Sequence, residues 1–105
     1  MIDLNALLAE LPDVSEVEIT RWVSRGWVRP AGADAPWHFA DIDVARVRLI
    51  RDLRHDMAIG DDALPVVLSL LDQVYALRGQ LRRVSDALAV LDEPARRALL
   101  DRLRG

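Results

Sequence analysis

The sequence predicts an all-α fold carrying a small β-hairpin, on three observations. Apolar residues recur at helical spacing along most of the chain, and two short aromatic runs flank a Pro/Gly loop at residues 30–36. The second half holds an unbroken heptad of leucine and valine. With 105 residues there is room for one contiguous core, and 51 % apolar with 30 % charged residues is a folding composition.

Leu4, Leu7, Leu8 and Leu11 mark a first helix, which Pro12-Asp13 ends. Ser15 opens a second as N-cap, with Glu18 as the returning half of a capping box. Val14, Ile19, Trp22 and Val23 are its apolar side, and Gly26 stops it. Two short helices joined by a three- or four-residue turn make a helix-turn-helix candidate. Trp27-Val28-Arg29 and Trp37-His38-Phe39, around the loop Ala31 to Pro36, read as the hairpin, the wing of a winged helix. Trp22, Trp27 and Trp37 are expected at the hinge of the core, with one partly exposed ring available to a protein partner.

Asp41 is the expected cap of a third helix whose Val44, Val47, Ile50, Leu53 and Met57 line one face. Its other face carries Arg48, Arg51, Asp52 and His55. Gly60-Asp61-Asp62 interrupts it and starts a long helix, with Pro65 tolerated in the first turn and Gly79 a defect of about 1 kcal/mol. About 30 residues at roughly 1.5 Å each make about 45 Å, more than so small a globule covers. Leu70, Val74, Leu77, Leu81, Val84, Leu88 and Leu91 alternate by four and three, a heptad seam that needs a partner. A homodimer through residues 70–91 is expected; the other possibility is that the seam folds back on its own chain, partly covered by a last helix from Glu93 to Arg104. The organisation is therefore a winged-helix module at 1–60, a long dimerisation helix at 61–91 and a short C-terminal helix at 92–105.

Charge narrows the partners. Residues 1–62 carry twelve Asp/Glu against seven Arg, and residues 63–105 five against seven. A nucleic-acid reader shows a basic footprint, because phosphate neutralisation supplies most of its affinity. Here the start of the second helix holds Glu16 and Glu18 after Asp13, and the wing loop holds Asp34 and no basic residue. Arg21, Arg25 and Arg29 are either a phosphate-contacting row or a solvated face paired with Glu18 and its neighbours. Nucleic acid is disfavoured on these grounds.

Catalytic and cofactor chemistry find little support. There is no cysteine, and the only histidines, His38 and His55, lie on different elements. His38 is expected to be packed or hydrogen-bonded in the hairpin, and Asp52 and Asp56 to orient His55. No third metal ligand stands at the right spacing, no serine adjoins a histidine, and no glycine-rich phosphate loop is present. Asp61-Asp62 suits a helix start complementing the macrodipole. The expectation is a non-enzymatic protein without cofactor or metal. No apolar run approaches a membrane span and no signal-peptide pattern opens the chain, so a cytoplasmic protein is expected.

The element order resembles that of the MerR-type regulators. The likeness is carried by Val14-Ser15 before the second helix, Gly26 after it, Pro30 opening the wing and Asp43-Val44-Ala45-Arg46-Val47-Arg48-Leu49-Ile50 beyond it. Two positions depart from that pattern: Thr20-Arg21 stands where those regulators carry an Arg-Tyr pair, and Trp37 where their wing carries an arginine. The chain is more similar still to the chaperone-modulator family CbpM, small MerR-like proteins. That likeness spans about residues 14–84 and is carried by Leu53-Arg54-His55-Asp56-Met57-Ala58-Ile59, then Leu64, Val67, Leu68, Leu70-Leu71-Asp72, Val74 and Leu77, with Trp37-His38-Phe39 as a Trp-x-Phe wing.

The resemblance implies a MerR-like fold and a protein partner. CbpM proteins bind the J-domain of a DnaJ-like co-chaperone, CbpA, block its stimulation of the Hsp70 chaperone DnaK, and restrain its DNA binding. A J-domain presents a basic helix to Hsp70, which an acidic surface such as that of residues 1–62 complements. The candidate docking surface is Arg48, Arg51, Asp52 and His55, with Arg54, Asp56 and the Asp61-Asp62 corner. The bland alternative is a solvated stripe in which Arg48 pairs with Asp52. The rival function is a MerR-like transcription regulator binding a palindromic operator as a homodimer.

Overall fold

Asp3 begins the fold twice over, ending a strand and capping a helix. The computed structural model describes residues 1–32 and 34–105, and in it β1 (Ile2–Asp3) runs directly into α1 (Leu4–Glu10). There follow α2 (Glu16–Ser24), β2 (His38–Phe39) and α3 (Asp41–Arg51). A π-helical turn (Asp52–Asp56), α4 (Leu64–Ala89) and α5 (Glu93–Leu103) complete the order. The fold is mostly helical with one small antiparallel sheet, the class read from the sequence. Two compact units, Met1–Leu68 and Ser69–Gly105, divide it. Among the described residues no helix is long and apolar enough to cross a membrane.

In the first unit the core is Leu7, Leu11, Val14, Ile19, Trp22, Trp27, Val28, Phe39, Val47, Ile50, Leu53, Leu64 and Leu68. No polar or charged residue is buried among those described, so polar side chains settle at its margin, where water shares their solvation. Asp3 Oδ1 accepts from the Ala6 N–H at 2.8 Å, satisfying one orphan donor of α1. The α1–α2 turn closes with the Val14 N–H on the Leu11 carbonyl. Ser15 and Glu18 then form the expected capping box: the Glu18 N–H donates to Ser15 Oγ at 3.1 Å and the Ser15 N–H to Glu18 Oε1 at 3.2 Å.

Gly26 ends α2 in the left-handed region, φ +74°. The Gly26 N–H donates to the Val23 carbonyl and the Trp27 N–H to the Trp22 carbonyl, a Schellman closure. That closure alters the wing. The Trp27 N–H is spent on α2 and its carbonyl accepts from Arg46 Nε at 3.0 Å, while Pro30 has no N–H to give. Trp27-Val28-Arg29 therefore does not form the expected strand. The hairpin is reduced to one bridge, the Ala31 N–H donating to the His38 carbonyl at 2.9 Å and the His38 N–H to that of Ala31 at 3.2 Å. The strand that pairs with β2 is β1, with Ile2 opposite Phe39 and Asp3 opposite His38. Ala33, within the expected loop, lies outside the described residues.

Alternation in the sheet turns the Phe39 side chain into the core and leaves His38 exposed, so of the two roles expected for His38, packed or hydrogen-bonded, the packed one is not met. Trp37 is half-buried and meets Phe39 edge-on, ring centroids 6.4 Å apart. The α3 cap falls one residue earlier than expected, at Ala40, whose N–H donates to Asp43 Oδ2 at 2.9 Å. The helix ends by widening: the Met57 N–H reaches back five residues to the Asp52 carbonyl, and Ala58 takes a left-handed conformation, φ +53°.

The second unit contains the rest of α4 from Ser69, together with α5. Asp92 caps α5 through the Ala95 N–H at 3.0 Å, Pro94 occupies its first turn, and Glu93 pairs with Arg96 and Arg97. Leu70, Val74, Leu77, Leu81 and Val84 are exposed along α4; Leu91, beyond its end, is 37 % exposed, and Leu88 is half-buried.

Candidate functional site

The polar stripe of the third helix faces the helix-turn-helix. Arg48 Nη2 lies 3.4 Å from Glu10 Oε2 at the end of α1. Arg51 holds Asp52 Oδ1 with Nε and Nη2, at 3.1 and 3.0 Å, and reaches Asp13 Oδ1 at 3.6 Å. His55 Nε2 lies 2.7 Å from Glu18 Oε2, and its Nδ1 3.7 Å from Asp13 Oδ2. Three basic side chains from α3 and the π turn that continues it thus meet acids carried by α1, the following turn and the first turn of α2.

These contacts replace the Arg48–Asp52 pair of the bland alternative and correct the partners expected for His55. Arg48 pairs across to Glu10 and not along its helix to Asp52. His55 is oriented by Glu18 and Asp13, not by Asp52 and Asp56. Asp52 is held by its neighbour Arg51. The physical reason is geometric: carboxylates on the facing element stand at bonding distance, whereas the π turn changes the register on which an i, i+4 pair depends.

A second knot surrounds Asp61. Its carboxylate lies 3.0 Å from Arg25 Nη1, 3.2 Å from Arg54 Nε and 4.0 Å from Arg21 Nη1. Arg54 also donates through Nη1 to the Ile59 carbonyl at 2.9 Å, bracing the exit from the π turn. Asp61 stands in the turn that opens α4, where the Leu64 N–H donates to the Gly60 carbonyl, and from that helix start its carboxylate also gathers three arginines. Arg21 and Arg25 are accordingly paired with Asp61, not with Glu18, and the Arg25 guanidinium also sits 5.1 Å over the Trp27 ring. Asp56, Asp62 and Arg29 are exposed.

These contacts set the protonation behaviour. The Glu18 hydrogen bond raises the His55 pKa above the usual histidine value of 6.5, against an opposing desolvation, with further help from the charges of Glu18 and Asp13. For Glu18, partial burial pushes upward, but hydrogen bonds from His55 and Ser15 win and hold the carboxyl below 4.5. The Asp52 hydrogen bond likewise raises Arg51. His55 therefore supports the fold fully below 6.5 and loses that support as pH climbs through its raised pKa. Glu18 supports it above 4.5 and fails as pH drops through its lowered one.

The sequence-predicted docking residues divide accordingly. Arg48, Arg51, Asp52, Arg54, His55 and Asp61 are brought together as intramolecular braces, and Asp56 and Asp62 stay exposed. Sequence reasoning missed Glu10 and Asp13 as partners, although acids just ahead of the α2 cap and a cationic stripe on the next long helix were a readable complementary pair. On α2 the exposed residues include Glu16, Val17, Thr20, Arg21 and Ser24, and Val17 is 68 % exposed. Among the described residues no group of His, Cys, Asp or Glu is arranged to hold a metal ion.

Comparison with known proteins matches residues 6–86 to the description "MerR HTH family regulatory protein", a family of regulators and not of enzymes. No curated protein and no solved structure matches the chain. Over most of its length, from α1 to the last turn of α4, the chain carries that family's pattern, and it belongs to the MerR HTH family of regulatory proteins.

Proposed function

We propose that the chain is a non-enzymatic regulator whose target is a protein, the J-domain of a DnaJ-like co-chaperone, which it occludes as a homodimer. One observation supports a protein target above all: the helix that a helix-turn-helix protein offers to a groove starts with Glu16 and Glu18, while its Arg21 and Arg25 are engaged by Asp61. Phosphates approaching that end meet like charge. A basic helix meets complementary charge, and exposed Val17 is an apolar contact beside it. The choice of a J-domain rests on the resemblance of residues 14–84. Dimerisation rests on the row Leu70, Val74, Leu77, Leu81 and Val84, whose exposure in the single chain leaves apolar area for a second copy to cover.

Charge reversal tests the target where it leaves the braces intact. Asp56→Arg with Asp62→Arg changes two exposed acids and should weaken capture of a purified J-domain about tenfold, mainly through slower association. Unchanged capture removes this surface from the interface. The second reading, a DNA-binding regulator, draws on the family match and on exposed Thr20, Arg21, Ser24 and Arg29. It requires duplex DNA binding with a steep salt dependence; a protein-directed modulator shows none at physiological salt.

A further inference from the structure

His55 sits where the π turn meets the start of α2, and both its ring nitrogens face carboxylates from other elements. Nε2 is 2.7 Å from Glu18 Oε2 on α2, and Nδ1 is 3.7 Å from Asp13 Oδ2 in the turn before it. The charged groups on its own segment are Arg51, bonded to Asp52 and reaching Asp13, Arg54, tied to Asp61, and exposed Asp56. An imidazolium donates from both nitrogens, but a neutral imidazole has one N–H and turns a lone pair on its second neighbour. The Glu18 carboxylate carries the effect inward, since its Oε1 accepts from the Ser15 N–H while Oε2 takes the ring. One carboxylate thus joins the α2 capping box to a group that titrates near physiological pH.

We propose that His55 is a protonation-dependent clamp on the N-terminus of α2: charged, it ties Glu18 and Asp13 to the π turn, and neutral, it releases one of the two and loosens the helix start. The clamp acts on the helix that meets the target, whatever that target is, so it stands or falls separately from the J-domain reading. The raised His55 pKa places the release on the alkaline side of 6.5.

The experiment is an NMR titration of the isotope-labelled full chain. The His55 ring midpoint is expected above 6.5, and the backbone amides of Ser15 to Ile19 are expected to shift with that same midpoint. Glu18→Gln keeps an acceptor for the capping box while removing the charge, so it should lower the His55 midpoint and uncouple those amides from it. Asp13→Asn, outside the helix, is the second variant and should lower the midpoint without touching the box. A His55 midpoint at or below 6.5 overturns the clamp. So does a midpoint that neither variant moves, or α2 amides that do not follow the ring.

Discussion

Replacing Gly26 with alanine isolates a single energetic effect. Gly26 lies at φ +74°, and a Cβ built there meets nothing within 4 Å, so no clash contributes. What remains is the intrinsic penalty of a left-handed L-residue, roughly 1–2 kcal/mol. The stiffer unfolded chain returns about 0.5 kcal/mol, leaving a net loss of about 1 kcal/mol. In a domain of this size that corresponds to about 5 °C in Tm. Ala58 supplies the mirror experiment, because it already holds φ +53° at the end of the π turn. Ala58→Gly relieves the same strain and should raise stability by up to about 1 kcal/mol. Urea unfolding followed by circular dichroism reads both variants, and the m-value should hold while the midpoint moves in opposite directions. If both variants shift the midpoint the same way, or Gly26→Ala leaves it in place, the Schellman account of the α2 exit is wrong.

Three further outcomes follow from other parts of the molecule. Phe39→Ala removes a fully buried ring that carries the β1–β2 pairing and should cost about 3–5 kcal/mol by the same denaturation assay, with the Ile2 amide losing hydrogen-exchange protection. Leu77→Asp with Leu81→Asp should convert a dimer into a monomer in sedimentation velocity at tens of micromolar; a monomeric parent chain excludes the seam as an interface. For pH, the stability difference between the parent and Glu18→Gln should be about 1 kcal/mol at most, since both side chains keep more than a quarter of their exposure. It should peak between the ordinary carboxylate and histidine values of 4.5 and 6.5. It should fade in acid as Glu18 protonates and in base as His55 loses its proton, and a difference flat from pH 4 to 9 refutes the pairing.

Local chemistry made the helices legible. Ser15 and Glu18 name the α2 start because the capping box is closed within four residues, and Gly26 names its end because few other residues tolerate that backbone conformation. The sheet was less legible for the opposite reason. Trp27-Val28-Arg29 has the aromatic and β-branched content of a strand, but its N–H and carbonyl at Trp27 are taken by the α2 exit and by Arg46, nineteen residues on. Such competition is tertiary, and composition within a short window does not register it. The pairing of Ile2 with Phe39 joins residues far apart in sequence, and nothing in a two-residue strand announces its partner.

The contacts within the candidate site were less legible, because charge in a sequence is counted by segment and not by facing surface. Arg48, Arg51 and His55 recur at helical spacing, which identifies a common face but not what that face meets. In the fold they meet Glu10, Asp13 and Glu18, the last two of which also argue against phosphate. Both sets are therefore partly neutralised by each other, and the docking problem shifts to what the braces leave over. On α2 and its flanks the remainder is mixed: acid and apolar at Glu16 and Val17, hydroxyl and base at Thr20, Arg21 and Ser24, then Asp56 at the end of the π turn and Asp62 beyond it. Arg21 and Arg25 share one carboxylate with Arg54, so neither can straighten toward a phosphate without giving up part of the Asp61 knot. A polyanion would have to disrupt this knot and tolerate Glu16, whereas a basic helix has only to approach the acids that remain. That asymmetry in what must be broken before anything is gained favours a protein target over DNA.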